Sequence, residues 1–200
     1  MVIVDLDHTS DMKTMLINLF IKSLPTDFLS FLGFEFIKKA YLEEFFKSPS
    51  NMIIVCKIDN ELVAFLMACN SKKLIRNTIS KHPFLFFNSA IKKMLYHPVK
   101  SFKYLISIVY FLIRNNCGFV LKEEHVELCY IGVRPDYQNQ RLGSLLVSQL
   151  VKKCERQKKI IFVKTLLGNR DLAATKFYLK NGFTSSAKCA GRHFLVRKFG

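Results

Sequence analysis

The segment Val133-Arg134-Pro135-Asp136-Tyr137-Gln138-Asn139-Gln140-Arg141-Leu142-Gly143-Ser144 places a polar turn between an apolar strand and an amphipathic helix. Main-chain N–H groups at the start of such a helix lack intrahelical acceptors, and the helix dipole adds partial positive charge there. A diphosphate can therefore be held by Gln138 through Ser144, with Gly143 letting backbone come close and Arg134 and Arg141 adding charge. Two titratable side chains lie in the same half of the chain: Glu127, in the strand that leads into the turn, and Tyr178, in a later helix. In a regular strand Glu127 shares a face with Cys129, Ile131 and Val133. A carboxylate on so apolar a face has its pKa raised and becomes a better base.

The turn resembles the acyl-CoA-binding motif of the GNAT superfamily of N-acetyltransferases, [QR]-x-x-G-x-[GA]. Gln138-Asn139-Gln140-Arg141-Leu142-Gly143 keeps its first and last residues, with Arg141 at the first glycine, and Val133-x-Pro135-x-Tyr137 matches its lead-in. Arginine prefers negative φ, so the turn must tolerate it or be reshaped. Downstream, Asp171-Leu172-Ala173-Ala174-Thr175-Lys176-Phe177-Tyr178-Leu179-Lys180-Asn181-Gly182-Phe183 resembles the family's N-x-x-A-x-x-[FL]-Y-x-x-x-G-F. Asp171 stands at the usual Asn, and Asn169 lies two positions earlier; either can cap the helix and approach the cofactor.

The resemblance implies acyl transfer from acetyl-CoA to a primary amine, with no metal. An alkylamine is mostly protonated at neutral pH, so transfer needs a route for its proton, donors for the growing carbonyl charge and an acid for the departing thiolate. It further implies Tyr178 as that acid and Glu127 as the base, directly or through water. Main-chain groups of Ile131, Gly132 and Val133 would bind the pantetheine and the thioester carbonyl, with Gly132 where the strand splays. A core tyrosine beside Phe177 and Phe183, and a rim carboxylate paired with Lys122 or another cation, are the alternatives. His125 and Tyr130 are secondary proton carriers. Cys129 has no His at a spacing that would activate it and reads as packing.

The elements that position these groups follow from the apolar pattern. Val2–Leu6 reads as a strand. A helix capped by Ser10 or Asp11 runs to about Leu24, and a second, capped by Thr26 or Asp27, spans Phe28–Phe46. Asn51–Ile58 and Glu61–Cys69 form a hairpin around Asp59-Asn60. Residues 71–117 are basic, aromatic and helical, broken near Pro83 and Pro98. A strand at His125–Arg134, a helix at Leu142–Gln157, a strand at Ile160–Leu166, a helix at Leu172–Lys180 and closing strands near Phe183–Ala187 and His193–Phe199 complete the chain. This order gives one α/β (α+β) domain over residues 1–200. By resemblance its sheet is mixed but mostly antiparallel and flanked by helices, with a helical insertion between the third and fourth strands.

Composition bounds the partners. The chain has 200 residues, 50% of them hydrophobic, enough for a sizeable core. Thirty-one Lys and Arg against 15 Asp and Glu favour polyanionic partners: nucleic acid, an anionic membrane face or a phosphorylated small molecule. Six cysteines without C-x-x-C or metal-ligand spacing fit a reduced, cytoplasmic setting. Met1–Asp11 does not read as a signal peptide, and the apolar run Phe102–Ile113 is too short to span a bilayer. Oligomeric state is left open.

The acceptor pocket implied by the family uses Leu16–Ser50 and residues 71–117. Leu24-Pro25-Thr26-Asp27-Phe28-Leu29-Ser30-Phe31-Leu32-Gly33, followed by Phe36 and Tyr41, resembles a subgroup associated with bacterial surface-polysaccharide gene sets. An amino sugar, carried on a nucleotide diphosphate, is the acceptor this implies. A protein N-terminus, a lysine or a polyamine is the alternative, and the scarcity of acids argues against the polyamine. A silent acyl-CoA sensor or a nucleic-acid-binding module would be a different class; the aromatics of 84–114 read as buried, which argues against nucleic acid. With Lys92, Lys93, Lys100 and Lys103, the insertion is either a buried helical hairpin or a contact for an anionic membrane or a lipid-linked sugar.

Overall fold

The computed structural model describes residues 1–6, 9–70, 74–96, 124–166, 172–189 and 191–199. The chain forms two compact units. A sheet unit comprises Met1–Leu6, Ser50–Lys72 and Cys117–Gly200, and a helical unit comprises Asp7–Pro49 and Lys73–Asn116.

The sheet unit contains β1 (Val2–Asp5), β2 (Met52–Ile58), β3 (Glu61–Cys69), β4 (His125–Val133), β5 (Ile160–Leu166), β6 (Thr184–Cys189) and β7 (Arg192–Arg197). Their order is β1-β2-β3-β4-β5-β7-β6, and every pairing is antiparallel except the parallel β4–β5 contact. The expected mixed, mostly antiparallel sheet flanked by helices is what forms. Asp59 and Asn60 both take positive φ (49° and 63°), the conformation a two-residue hairpin turn demands.

The parallel pair is joined by helix Leu142–Arg156, the seventh α-helix among the described residues. Its Leu142, Leu146, Val147, Leu150, Val151 and Cys154 are buried at three- and four-residue spacing. They meet Ile54, Cys56, Ala64, Leu66, Val126, Leu128, Ile161 and Val163 in one core cluster. Helix Leu172–Lys180 adds Tyr178 to that cluster, and Phe183 follows it.

The helical unit opens with α1 (Ser10–Ser23), which is capped by Thr9, whose Oγ1 accepts from Met12 N at 3.4 Å, rather than by Ser10 or Asp11. Asp27 caps α2 (Phe28–Leu32) through Leu29 N at 2.8 Å. The single helix expected over Phe28–Phe46 is instead broken. Gly33, at φ 87°, ends α2, and the chain restarts as α3 (Phe34–Phe36), a π-helical turn (Ile37–Tyr41) and α4 (Leu42–Phe46). Of the 71–117 stretch, α5 (Leu74–Lys81) and α6 (Pro83–Tyr96) are helical with the break at Pro83, as expected; Pro98, Lys100 and Lys103 lie outside the described residues. We number the helices at Leu142–Arg156 and Leu172–Lys180 α7 and α8.

Candidate active site

Strand β4 carries a bulge that reorganises the site. Met67 pairs with Tyr130 and Ala68 with Leu128, so Cys129 is the extra residue between them. One inserted residue reverses the alternation of side chains beyond it. Val126 and Leu128 point into the α7 core, and after the bulge Ile131 and Val133 pack against that same cluster. Glu127 therefore does not share a face with Ile131 and Val133, as unbroken alternation would have it.

Nor is the face that Glu127 occupies purely apolar, because it carries a cation. It pairs in register with Phe162 of β5, and Lys164, two residues further on, reaches it from the same face. Lys164 Nζ donates to both carboxylate oxygens, at 2.9 and 3.0 Å, and lies 5.3 Å from the centre of the Phe162 ring. Both side chains are largely shielded from water. The pairing cation is Lys164; Lys122 lies outside the described residues. Arg192 is close enough to feel the Glu127 charge, while its partial burial pulls its own pKa down. Sequence reasoning missed Lys164 because nothing before the parallel register tells which β5 residue lies beside Glu127.

Cys129 Sγ lies 3.0 Å from Cys69 Sγ and also donates to Glu127 O at 3.4 Å. The neighbouring thiol, burial and the nearby Glu127 charge push the Cys129 pKa well up, so it is a poor nucleophile, consistent with packing. His125 sits edge-on to Phe162 at 6.1 Å.

Beyond Leu128 and Val163 the two parallel strands part. Pairing runs from His125–Ile160 to Leu128–Val163 and then stops, although β4 continues to Val133 and β5 to Leu166. Each remains bonded on its outer side, β4 to β3 and β5 to β7. The inner edges thus form a wedge, along which no β4–β5 ladder pairing continues beyond Leu128 and Val163. It opens at the carboxyl ends of both strands, beside the turn into α7. An extended, amide-bearing arm can fill such a wedge by strand-like hydrogen bonds. The splay begins at Cys129, three residues before Gly132.

The turn itself is strongly shaped. Asn139 and Arg141 both adopt the left-handed conformation, at φ 64° and 62°. The turn therefore accommodates arginine at the glycine position by holding it in a backbone region that costs a non-glycine residue roughly 1 kcal/mol. Arg141 makes no side-chain cap, and the first intrahelical bond of α7 is Leu145 N to Arg141 O at 3.0 Å. The amides of Leu142, Gly143 and Ser144 thus have no intrahelical acceptor, and the Arg141 side chain is exposed. Gln138 and Gln140 brace the turn, donating to Val133 O (3.3 Å) and Asp136 O (3.4 Å).

Arg134 is engaged differently from its expected phosphate role. It pairs with Glu61 at 2.6 Å and Asp136 at 3.0 Å and lies over the Tyr137 ring at 4.5 Å. This clamps the turn to the sheet. Gly143 also has a duty inside the protein: a Cβ there would lie 3.3 Å from Phe177 ring atoms and 3.7 Å from Ile131 Cδ1. Tyr178 is buried, its ring edge-on to Phe177 (5.2 Å) and Phe183 (5.4 Å). Asn169 and Asp171 lie outside the described residues.

The profile of the acetyltransferase (GNAT) family matches residues 18–183. The chain belongs to that family. It is a GNAT N-acetyltransferase with the family's fold. A comparison with curated proteins found no match. Among solved structures it is similar to the ribosomal-protein-S18-alanine N-acetyltransferase of Escherichia coli, at 13% identity and a TM-score of 0.55, covering 98% of this chain and 92% of that one. It is also similar to the PaiA N-acetyltransferase of Thermoplasma acidophilum in complex with coenzyme A (13%, 0.58, 100% of both chains). A third is the aminoglycoside 6'-N-acetyltransferase of Enterococcus faecium (14%, 0.59, 99% and 97%). At these identities the likeness speaks for the fold of this GNAT chain alone.

Proposed function

We propose that this enzyme transfers the acetyl group of acetyl-CoA to the primary amine of an amino sugar or nucleotide-linked amino sugar. The observation that carries the donor assignment is the wedge between β4 and β5, leading to the uncapped amino end of α7. Main-chain groups of Ile131, Gly132 and Val133 hold the pantetheine arm and polarise the thioester. The turn from Gln138 to Ser144 takes the diphosphate, with Arg141 as its side-chain cation and Asn169 or Asp171 approaching from the other motif.

In the transfer the amine nitrogen bonds to the thioester carbon, the C–S bond breaks, and the sulfur leaves with the electron pair. Glu127 receives the amine proton, directly or through water, and Lys164 fixes its carboxylate by both oxygens. Tyr178 gives a proton to the sulfur. The acceptor assignment is supported by the Leu24–Gly33 stretch and by the surplus of 31 basic over 15 acidic residues, which suits a phosphorylated acceptor.

Thiol release measured against amino sugars, nucleotide amino sugars, peptides and polyamines tests this reading. The highest kcat/KM is expected with a nucleotide amino sugar. A preference for peptide N-termini or polyamines would move the acceptor, and acetyl-CoA binding without thiol release from any amine would make the chain a sensor.

A further inference from the structure

Helix α6 presents apolar side chains on two sides. On one, Phe86 packs within the helical unit, its ring 6.4 Å from Phe28 and 6.2 Å from Phe36. On the other, Phe84, Phe87, Ile91, Met94 and Leu95 are all exposed, Phe84 at 79% and Leu95 at 78%. Their spacing of three and four residues gathers them into one stripe along the helix. Of the two readings of this segment, a buried helical hairpin and a membrane contact, α6 does not fit the first, since none of its residues is buried. Isolated exposed apolar residues are ordinary, but a contiguous stripe of this kind marks a docking surface.

Charge says what docks there. From Leu62 to Lys122 the sequence contains no Asp or Glu. Within that stretch Arg76 and Lys92 are exposed on α5 and α6, with Lys92 immediately beside Ile91 of the stripe. A second copy of this chain would set like charge against like. A nucleic acid would match the charge but leave Ile91, Met94 and Leu95 without an apolar partner. A surface with phosphate above and hydrocarbon below satisfies both features.

We propose that α6 docks on an anionic lipid membrane. The helix lies in the plane of the headgroups, with its stripe entering the acyl boundary and Lys92 meeting lipid phosphates. Among the described residues no helix is long and apolar enough to cross a membrane. This surface is independent of which amine the enzyme acetylates.

Co-sedimentation of the full chain with vesicles tests it, comparing phosphatidylglycerol–phosphatidylcholine with pure phosphatidylcholine at low and high salt. Binding is expected on the anionic vesicles, weakened by salt. It should fall by about tenfold or more in Phe84→Ser/Ile91→Ser and less in Lys92→Glu, with the melting temperature kept. Should the double variant lose its melting transition, Leu95→Ser at the helix end takes its place. No binding to anionic vesicles would overturn the proposal, as would equal binding by wild type and stripe variants. So would a dimer in sedimentation velocity that the stripe variant dissolves, or a preference for duplex DNA that survives that variant.

Discussion

Gly143 of the α7 turn and Phe177 of α8 interlock: a Cβ on the glycine would stand 3.3 Å from Cε2 and Cζ of the ring. The two motifs that resemble the family's cofactor signature are thus also a packing pair. Gly143→Val pushes methyl groups into Phe177 and should cost about 1–3 kcal/mol of stability while weakening acetyl-CoA binding. Blocking phosphate approach alone would have spared the fold. Adding Phe177→Leu should recover stability in Gly143→Val, measured as a double-mutant cycle by chemical denaturation.

Arg141 offers the opposite separation. Replacing it with glycine removes left-handed strain but raises the entropy of the unfolded chain, so Arg141→Gly should leave the melting temperature unchanged or slightly higher. It also removes the one exposed guanidinium of the turn, so the KM for acetyl-CoA should rise about three- to tenfold, with a weaker salt dependence. Steady-state kinetics at two ionic strengths, beside a melting curve, read both effects.

Much of this layout is legible in sequence because it is local. Ile160–Leu166 and Leu172–Lys180 are found where their apolar spacing puts them, and Asp59-Asn60 predicts its own turn. What escapes is set by pairing between distant segments. The Cys129 bulge arises from register against β3, and it turns Ile131 and Val133 to the face opposite Glu127. Lys164 meets Glu127 only through the parallel β4–β5 register. The break at Gly33 was visible as a glycine, but the apolar period runs straight through it.

The Glu127–Lys164 pair should show itself in the pH dependence of turnover. Glu127→Gln removes a proton acceptor while keeping shape, so its deficit should shrink at high pH, where more acceptor amine is already neutral. Lys164→Met should lower kcat while Lys164→Arg restores part of it. A Glu127→Gln deficit that is constant across pH would make the pair a binding element instead.

Tyr178→Phe keeps the ring between Phe177 and Phe183 and deletes only the hydroxyl. Turnover should fall toward the low end of the roughly 100- to 10,000-fold range for general acids, because a CoA thiolate leaves readily. Acetyl-CoA affinity should be nearly unchanged. Full activity in this variant would make Tyr178 a core residue and nothing more.

Glu44 links stability to pH in the helical unit. It is buried and paired with Lys47, with Lys81 at 2.7 Å and with His82 at 3.5 Å, and the two lysines hold its pKa near 2. A depressed carboxylate stabilises the fold above its unfolded pKa of about 4.5, and that contribution is lost as pH falls toward 2. Glu44→Gln should therefore melt lower than wild type at pH 6, and the gap should close on acidification to pH 3 and below. A gap independent of pH would trace the loss to packing.

We propose that the uncapped amino end of α7 and the β4–β5 wedge together bind acetyl-CoA. Isothermal titration of the full chain with acetyl-CoA, beside dephospho-CoA, pantetheine and adenosine 3',5'-bisphosphate, tests it most directly. We expect micromolar-range binding of acetyl-CoA, much weaker binding of each fragment, and a matching rise in melting temperature. No heat and no thermal shift at millimolar acetyl-CoA, with longer acyl-CoA esters equally silent, would contradict it.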